Sequence, residues 1–434
     1  MTPEADEFPL DFDAPRFSIR KPPVRHDQQG DASEAERTSA AARAFAGDMT
    51  RSAATYLEAC VRCGHCAEAC HFYLASGDAR HTPIWKLEPF KRAYKGKAVG
   101  IAQLREWQEL LYDTCTLCGR CTLACPMGID IAGLVAQARH GMFAAGLVPH
   151  ELWAVAERAK REGSPLGATP KVLRERIEWL SDEHEVAIPL DHEKASVLVT
   201  LSSIEIMKYP KSLVALARIL ARMGVDWTLR SDGYEATNFG LFSGNLDWQR
   251  EMSMKLVRAA IAVQAQTLLL PECGHAYGAM RWQGANMYGA PLPFRVLHIS
   301  EFLAEATRAG SLELKPMAGS ITFHDPCQVS RRGGATSAPR DVLAALGAEL
   351  REMPPAGDAN WCCGGGGGVV TLHRADEHRR RVFEIKMKQV EATGAERLAT
   401  SCSNCRLTFD DGQAHYGWDR KMESLLELVA DHLA

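Results

Sequence analysis

The chain has 434 residues, with 50 Lys plus Arg against 54 Asp plus Glu and a net charge of -4. That length sets an expectation of two or three domains, the near-balanced charge excludes a basic nucleic-acid binder, and 46% apolar with 24% charged residues is ordinary globular material. No apolar run reaches the ~18 residues of a membrane span, and the acidic opening MTPEADEFPLDFDAPRF has no apolar stretch of the secretory kind, so the expected compartment is the cytoplasm.

In chain order, residues 1–32 are rich in Pro, Asp and Arg without periodicity and are expected to form a disordered arm. The Ala-rich stretch 33–59 reads as helix and runs into four cysteines at 60–70. A mostly helical connector over 71–114 leads to four more at 115–125. Helical patterns follow over 132–145, 151–162 and 170–179, and a polar junction over 181–194 closes a helical unit placed at 33–185. Then the pattern changes. Short runs at 196–201, 267–270, 320–324 and 397–401 alternate with helical stretches such as 212–223, which predicts βα units and a parallel sheet over 195–434. This second unit looks duplicated, 195–310 against 318–434. VLVTLSS (197–203) lies over ITFHDPC (321–327), ARMGVDW (221–227) over AALGAEL (344–350), and EATNFG (235–240) over ANWCCG (359–364). TLLLPEC (267–273) lies over ATSCSNC (399–405), and FRVLHISEFLAEA (294–306) over MESLLELVADHLA (422–434).

Fourteen cysteines in a chain read as cytoplasmic are expected to bind metal rather than to form disulfides. Thirteen fall into three groups. Cys60, Cys63, Cys66 and Cys70 have the spacing C-x2-C-x2-C-x3-C, and Cys115, Cys118, Cys121 and Cys125 repeat it with Pro126 behind. Three cysteines in a tight loop reach three corners of one [4Fe–4S] cubane, and the fourth, a helical step further on, reaches the neighbouring cluster. The expected ligand sets are therefore Cys60, Cys63, Cys66 and Cys125 for one cubane, and Cys115, Cys118, Cys121 and Cys70 for the other. Zinc, the competing metal, takes four ligands, usually as two C-x2-C pairs, and fits two complete runs poorly. Between the runs, Lys86, Lys91, Arg92, Lys95 and Lys97 read either as a solvated helix face or as a docking patch for an acidic redox partner.

The third group is Cys327, the adjacent pair Cys362 and Cys363, and Cys402 with Cys405: five thiolates, one more than a cubane needs. Five glycines, Gly364–Gly368, follow the pair. Glycine allows close backbone approach and positive φ, so Gly364, Gly365 and Gly366 are expected to line the cofactor with N–H groups toward its sulfurs.

The five-cysteine pattern resembles the CCG-domain family, in which a noncubane [4Fe–4S] cluster has five cysteine ligands. The resemblance implies Cys327, Cys362, Cys363, Cys402 and Cys405 in that role. From about residue 50 onward the chain resembles the D-type iron–sulfur subunit of heterodisulfide reductases, on CVRCGHCAEACHFYLASGD, HDPCQVSRR, WCCGGGGG and PECGHA. Within that type it looks most like the iron–sulfur subunit of the transmembrane redox complexes linked to dissimilatory sulfite reductase.

The resemblance implies an α-helical two-cluster ferredoxin domain followed by an α/β CCG domain with two pseudo-repeats. The first repeat looks degenerate, since Ser203, Asn238, Phe239 and Leu270 stand at ligand positions and only Cys273 survives. Two cubanes and one noncubane cluster follow. The implied activity is that of an oxidoreductase on sulfur groups. Its substrate would be a small-molecule disulfide, or a dithiol or trisulfide carrier protein. Its electrons would be exchanged with a quinone-linked cytochrome b-type membrane subunit, which would hold the chain at the inner face of the membrane.

Cys273 is read either as a structural thiol or, with His275 lowering its pKa, as a group that handles the sulfur substrate. His324 is read as a proton donor or as a hydrogen-bond partner of a cluster sulfur. The alternative function is the iron–sulfur subunit of a glycolate- or lactate-oxidising flavoprotein complex, which only passes electrons to quinone. A third is an electron-transfer module without chemistry of its own.

Overall fold

A computed structural model of the protein describes residues 31–434. The arm expected over 1–32 lies almost wholly outside the described residues. Helices account for the ordered elements up to His184. The first, Glu34–Gly47, opens on a reciprocal cap: Ser33 Oγ accepts the Glu36 N–H, and the Glu36 carboxylate accepts the Ser33 N–H. The single helix expected over 33–59 is in fact two. The chain breaks at Asp48–Thr50, where the Thr50 hydroxyl accepts the Ala53 N–H and starts a new helix, Arg51–Ala59, that delivers Cys60. Helix Glu34–Gly47 lies on helix Ile131–Ala144, with the Phe45 ring over Gly141, where a Cβ would come within 2.2 Å of it. The last helix, Pro170–His184, runs past the expected end at Trp179. Leu180 continues the buried stripe of Leu173 and Ile177, and that apolar contact carries the helix into the polar junction.

Eight strands among the described residues form two four-stranded sheets, with every pairing parallel. The first holds β1 (Val197–Val199), β2 (Trp227–Thr228), β3 (Thr267–Leu270) and β4 (Arg295–His298), in the order β2-β1-β3-β4. The second holds β5 (Ser320–His324), β6 (Glu349–Leu350), β7 (Arg397–Thr400) and β8 (Met422–Ser424), in the order β6-β5-β7-β8. The two pseudo-repeats thus share one topology. Registers correspond as well: Leu268 pairs Val296 where Thr400 pairs Ser424. Helices cover both faces, which is why β1 and β5 are buried along their whole length. The repeats pack helix to helix, Pro210–Arg222 on Leu425–Asp431 and Ile299–Arg308 on Ala338–Ala345. One apolar core therefore runs through both, from Val199 and Ile219 to Phe323 and Leu426.

This topology decides where a ligand site can form. In an open parallel sheet the crevice lies beyond the carboxyl ends of the central strands, where the strand order reverses. In the second sheet those strands are β5 and β7. The chain leaves β5 toward Cys327 and β7 toward Cys402, while the loop after β6 carries Cys362 and Cys363 to the same end.

Candidate metal centres

The two ferredoxin runs are built alike. Between the first two cysteines of each run a non-glycine residue is held left-handed, Arg62 at φ 57° and Leu117 at φ 57°. A left-handed glycine follows the second cysteine, Gly64 at φ 90° and Gly119 at φ 76°. Side-chain-bearing residues take this region only where the surroundings impose it. The tight loop turns three sulfurs inward. A short helix, His65–Glu68 or Arg120–Leu123, then carries the chain on to Cys70 or Cys125.

The sulfurs are grouped crosswise. Burial pushes the Cys66 thiol up, and its charged neighbours are Cys60, Cys125 and Cys63. Burial likewise pushes Cys121 well up, and its neighbours are Cys118, Cys70 and Cys115. Four thiols grouped in this way form donor sets that suit an iron core drawing thiolates together. Cys70, Cys115, Cys118 and Cys121 line one apolar cavity with Phe72, Ile131 and Val135.

The basic stretch as a whole forms neither the solvated face nor the docking patch that its charge allows. Lys86 is buried, its Nζ donating to the Thr114 carbonyl beside the second run. Lys91 donates to the Ile84 carbonyl at 2.8 Å, and only Lys95 and Lys97 of the five are exposed.

In the third group all five cysteines are buried. Cys327 Sγ lies 3.8 Å from Cys362 Sγ. Cys363 touches Cys362 and Cys405, and Cys405 touches Cys402. The five sulfurs, drawn from three distant stretches, make one continuous string. It also meets the second ferredoxin run: Cys118 Sγ lies within 4.8 Å of both Cys362 Sγ and a ring nitrogen of His71.

The glycine run forms the seam between the units. Gly364 N–H points at Cys362 Sγ at 3.4 Å, and Gly365 N–H donates to the Cys363 sulfur. A Cβ on Gly365 would stand 2.0 Å from Thr408 Oγ1, and one on Gly367 would stand 2.8 Å from the Thr116 backbone, inside the Cys115–Cys118 loop. Only glycine permits so close an approach. Gly366 lies against Thr116 and His275.

His324 ends β5 with no exposed surface, and neither ring nitrogen has a hydrogen-bond partner among the described residues. One of them lies within 4.8 Å of Cys363 Sγ and Cys405 Sγ. Burial holds the ring well below its ordinary pKa, so it is neutral near pH 7. Beside it stands Lys386, a residue the sequence reading missed. It is wholly buried, donates to Asn360 Oδ1 at 2.7 Å and to Gln389 Oε1, and is pulled down to about 7 by burial against the opposing charges of Cys362 and Cys363. The signal was available. In DEHRRRVFEIKMKQVE (376–391) Lys386 falls three and four residues after Phe383 and Val382, on the apolar stripe. A buried lysine and an orphaned imidazole beside five buried thiols are the surroundings an anionic thiolate-bound iron cluster requires.

Cys273 is buried next to Cys402, and burial pushes its thiol well up. The expected activation by His275 is not what the structure contains. His275 Nε2 accepts the Gly367 N–H at 3.4 Å, its ring stacks edge-on against Phe242, and burial lowers it to about 3.

In the first repeat, hydrogen bonds replace thiols at two of the ligand positions. Ser203 N–H donates to Glu235 Oε2 at 3.0 Å. Asn238 Oδ1 caps a short helix by accepting the Leu241 N–H at 3.1 Å. Nearby, Glu205 accepts Ser202 N–H and Oγ–H on one oxygen while the other has no partner. Burial first, then the charge of Glu272, raises it to about 8. The folded chain therefore keeps a proton that the unfolded chain gives up above about 4.5. The stability this proton confers is complete below pH 4.5 and is lost as pH rises to 8. Glu205→Gln keeps the acceptor and removes the charge. It is expected to stabilise the protein at pH 8, by at most roughly 4 kcal/mol at about 1.4 per pH unit, and to do nothing near pH 4. Thermal melts at the two pH values check this; equal effects at both would refute it.

Comparison with known proteins agrees with this geometry. Residues 56–129 match the 4Fe-4S dicluster domain family and residues 321–410 the cysteine-rich CCG domain family. The chain is 27% identical to the D-type subunit of the dihydromethanophenazine:CoB–CoM heterodisulfide reductase of Methanosarcina barkeri, over 87% of this chain and 94% of that one. It is 24% identical to the Hdr-like menaquinol oxidoreductase iron–sulfur subunit 2 of Archaeoglobus fulgidus, over 89% and 81%. It is 26% identical to the EtfAB:quinone oxidoreductase of Syntrophomonas wolfei, over 82% and 55%. Among the described residues no helix is long and apolar enough to cross a membrane. With a dicluster ferredoxin segment joined to a CCG segment, the chain is an iron–sulfur electron-transfer subunit of an oxidoreductase, and it is a heterodisulfide-reductase-like protein of the D type.

Proposed function

We propose that the chain is the catalytic iron–sulfur subunit of a heterodisulfide-reductase-like complex, exchanging electrons between a quinone-linked membrane partner and a disulfide or trisulfide substrate. Cys60, Cys63, Cys66 and Cys125 would hold one [4Fe–4S] cubane. Cys115, Cys118, Cys121 and Cys70 would hold the other, and Cys327, Cys362, Cys363, Cys402 and Cys405 a noncubane [4Fe–4S] cluster. When bound, these clusters supply single-electron steps, two of which are needed to cleave an S–S bond. The observation that carries this reading is the approach of Cys118 to Cys362, which joins the second ferredoxin run to the five-cysteine string. A ferredoxin unit placed so serves the third group rather than standing apart from it.

The surrounding residues hold that arrangement. Arg120 stacks on Trp361, 3.3 Å from the ring centroid, one residue before the cysteine pair. Arg331 Nη1 donates to the Cys118 carbonyl at 3.0 Å. Of the two roles open to His324, a neutral N–H donated to a cluster sulfur suits its buried ring. Of those open to Cys273, the packed structural thiol suits its raised pKa. A cleft of about 660 Å³ between the units, lined by His275, Trp282, Gln328 and Arg332 beside the glycine run, offers the sulfur substrate an approach. The named relatives act with heterodisulfide or with quinol and quinone, which supports a quinone-linked partner here.

Iron and acid-labile sulfide analysis on anaerobically purified protein tests the assignment. About twelve irons per chain are expected from three four-iron clusters. About eight would remove the third centre. Reduced viologen should then drive disulfide reduction. Twelve irons without that activity would leave a conduit to quinone, the reading that the similarity to EtfAB:quinone oxidoreductase favours.

A further inference from the structure

His81, Glu109 and His378 belong to three separate elements: a 3-10 turn, Ala79–His81; a π-turn, Glu109–Asp113; and the helix Asp376–Glu391 of the second repeat. One ligand atom from each lies within 4.8 Å of the others. None of them lines the cleft or belongs to the cysteine groups.

His81 is only 2% exposed, and its Nε2 has no hydrogen-bond partner among the described residues. The other ring nitrogen shows why. The Ser76 hydroxyl gives its proton to the Phe72 carbonyl at 2.8 Å, so its oxygen accepts from His81 Nδ1–H, also at 2.8 Å. The tautomer is thereby fixed, and Nε2 is left with a bare lone pair in a buried place. An imidazole held through one nitrogen with the other free is the arrangement found at metal-ligating histidines. The His378 ring meets that of His81 edge-on, centroids 5.2 Å apart at 87°. Neither His378 nor Glu109 makes a side-chain hydrogen bond or ion pair among the described residues. Arg80, the cation near Glu109, is taken by Asp78 at 2.6 Å. The π-turn that presents Glu109 is a rare backbone form that recurs at functional sites.

We propose that His81, Glu109 and His378 bind one divalent transition-metal ion of the zinc class, and that this ion clamps the ferredoxin unit to the second repeat. Two imidazole nitrogens, one carboxylate oxygen and a water complete a tetrahedral shell. Bonds of about 2.0–2.2 Å place ligand atoms about 3.4 Å apart, so the set must close by at most about 1.4 Å. Half-buried His378 and Glu109 supply that closure by changing rotamer. The hard N/O donors distinguish the site from the soft thiolate groups, so it does not compete for cluster iron. The clamp also bears on the crossed ligand, because the His81 carbonyl lies 3.8 Å from Cys70 Sγ.

The test uses the full chain, purified anaerobically, loaded with one equivalent of Zn²⁺ and desalted over a weak chelator. Expected are about one retained zinc per chain and a zinc-edge scattering shell of nitrogen and oxygen near 2.0–2.1 Å, without sulfur. His378→Ala and Glu109→Gln should each weaken retention at least about tenfold, with iron content unchanged. Unchanged iron shows that the variants are folded. No retained zinc, a sulfur shell, or wild-type retention in His378→Ala would each overturn the proposal. The readout is the metal itself, so its failure leaves the sulfur chemistry untouched.

Discussion

Cys363→Ala should lower the iron content of anaerobically purified protein from about twelve to about eight per chain while the signals of both reduced cubanes persist. Viologen-driven disulfide reduction should fall at least about a hundredfold, the mark of a lost reaction centre rather than a weakened one. Cys363 stands in the middle of the five-sulfur string, touching Cys362 on one side and Cys405 on the other, with its sulfur held by Gly365 N–H. Its removal separates Cys327 and Cys362 from Cys402 and Cys405. Alanine is chosen because a serine oxygen can itself bind iron. The cubanes should survive because the apolar core around the ferredoxin runs, built on Phe45, Phe90, Trp107, Leu111 and Met142, excludes Cys363, which packs in a separate cluster. Cys273→Ala is the contrast. It removes another buried thiol, from the first repeat, and should leave about twelve irons. Equal iron loss in both variants would show that the ligand set had been drawn wrongly, and retention of twelve in Cys363→Ala would show that the pair does not act as one centre's ligands.

How much of this was legible in the sequence depends on the range of the physics involved. The crossed grouping of Cys70 and Cys125 was readable because spacing within ten residues fixes it: a left-handed residue, a glycine and one helical step. The strands at 267–270 and 320–324 were readable because buried parallel strands are short apolar runs bounded by loops. β2 and β6, two residues each, show no period of their own. They were not foreseen as strands, although the duplication lays ARMGVDW over AALGAEL where they fall. Contacts made across the seam left no local trace. Nothing in the Cys115–Cys125 stretch announces that Cys118 abuts Cys362, and charge alone put Lys86 on a surface from which the fold withdraws it. Likewise, proximity in sequence suggested that His275 serves Cys273, whereas the helix starting at Gly274 carries its ring to the glycine run.

Arg139→Met should destabilise the protein by about 4 kcal/mol or more, the largest effect expected of any substitution outside the cysteine groups. Arg139 lies in IAGLVAQARHGMFA (131–144), where a cation would ordinarily face water, yet it is wholly buried. Its guanidinium donates to the Leu111 carbonyl at 3.0 and 2.8 Å, to Cys115 O at 2.8 Å, to Phe242 O at 2.9 Å and to Gly367 O at 2.6 Å. These carbonyls belong to the connector, the second ferredoxin run, the first repeat and the glycine run, so one side chain ties together every part of the molecule that meets at the seam. Methionine has similar length and fills the space, which isolates the polar loss from a cavity. Four buried acceptors would be left dry, and unmade hydrogen bonds of this kind are worth about 1–3 kcal/mol each before relaxation. Arg139→Lys should recover less than half of the loss, because a single ammonium cannot span carbonyls that a planar fork reaches from several nitrogens. Hydrogen exchange on the metal-loaded protein provides the measurement: the amides of Thr116 and of Gly366–Gly368 should lose protection together in Arg139→Met. A variant that keeps wild-type protection at those amides would mean that the seam is held by packing alone, and Cys118 would then owe its place beside Cys362 to the glycine contacts rather than to this arginine.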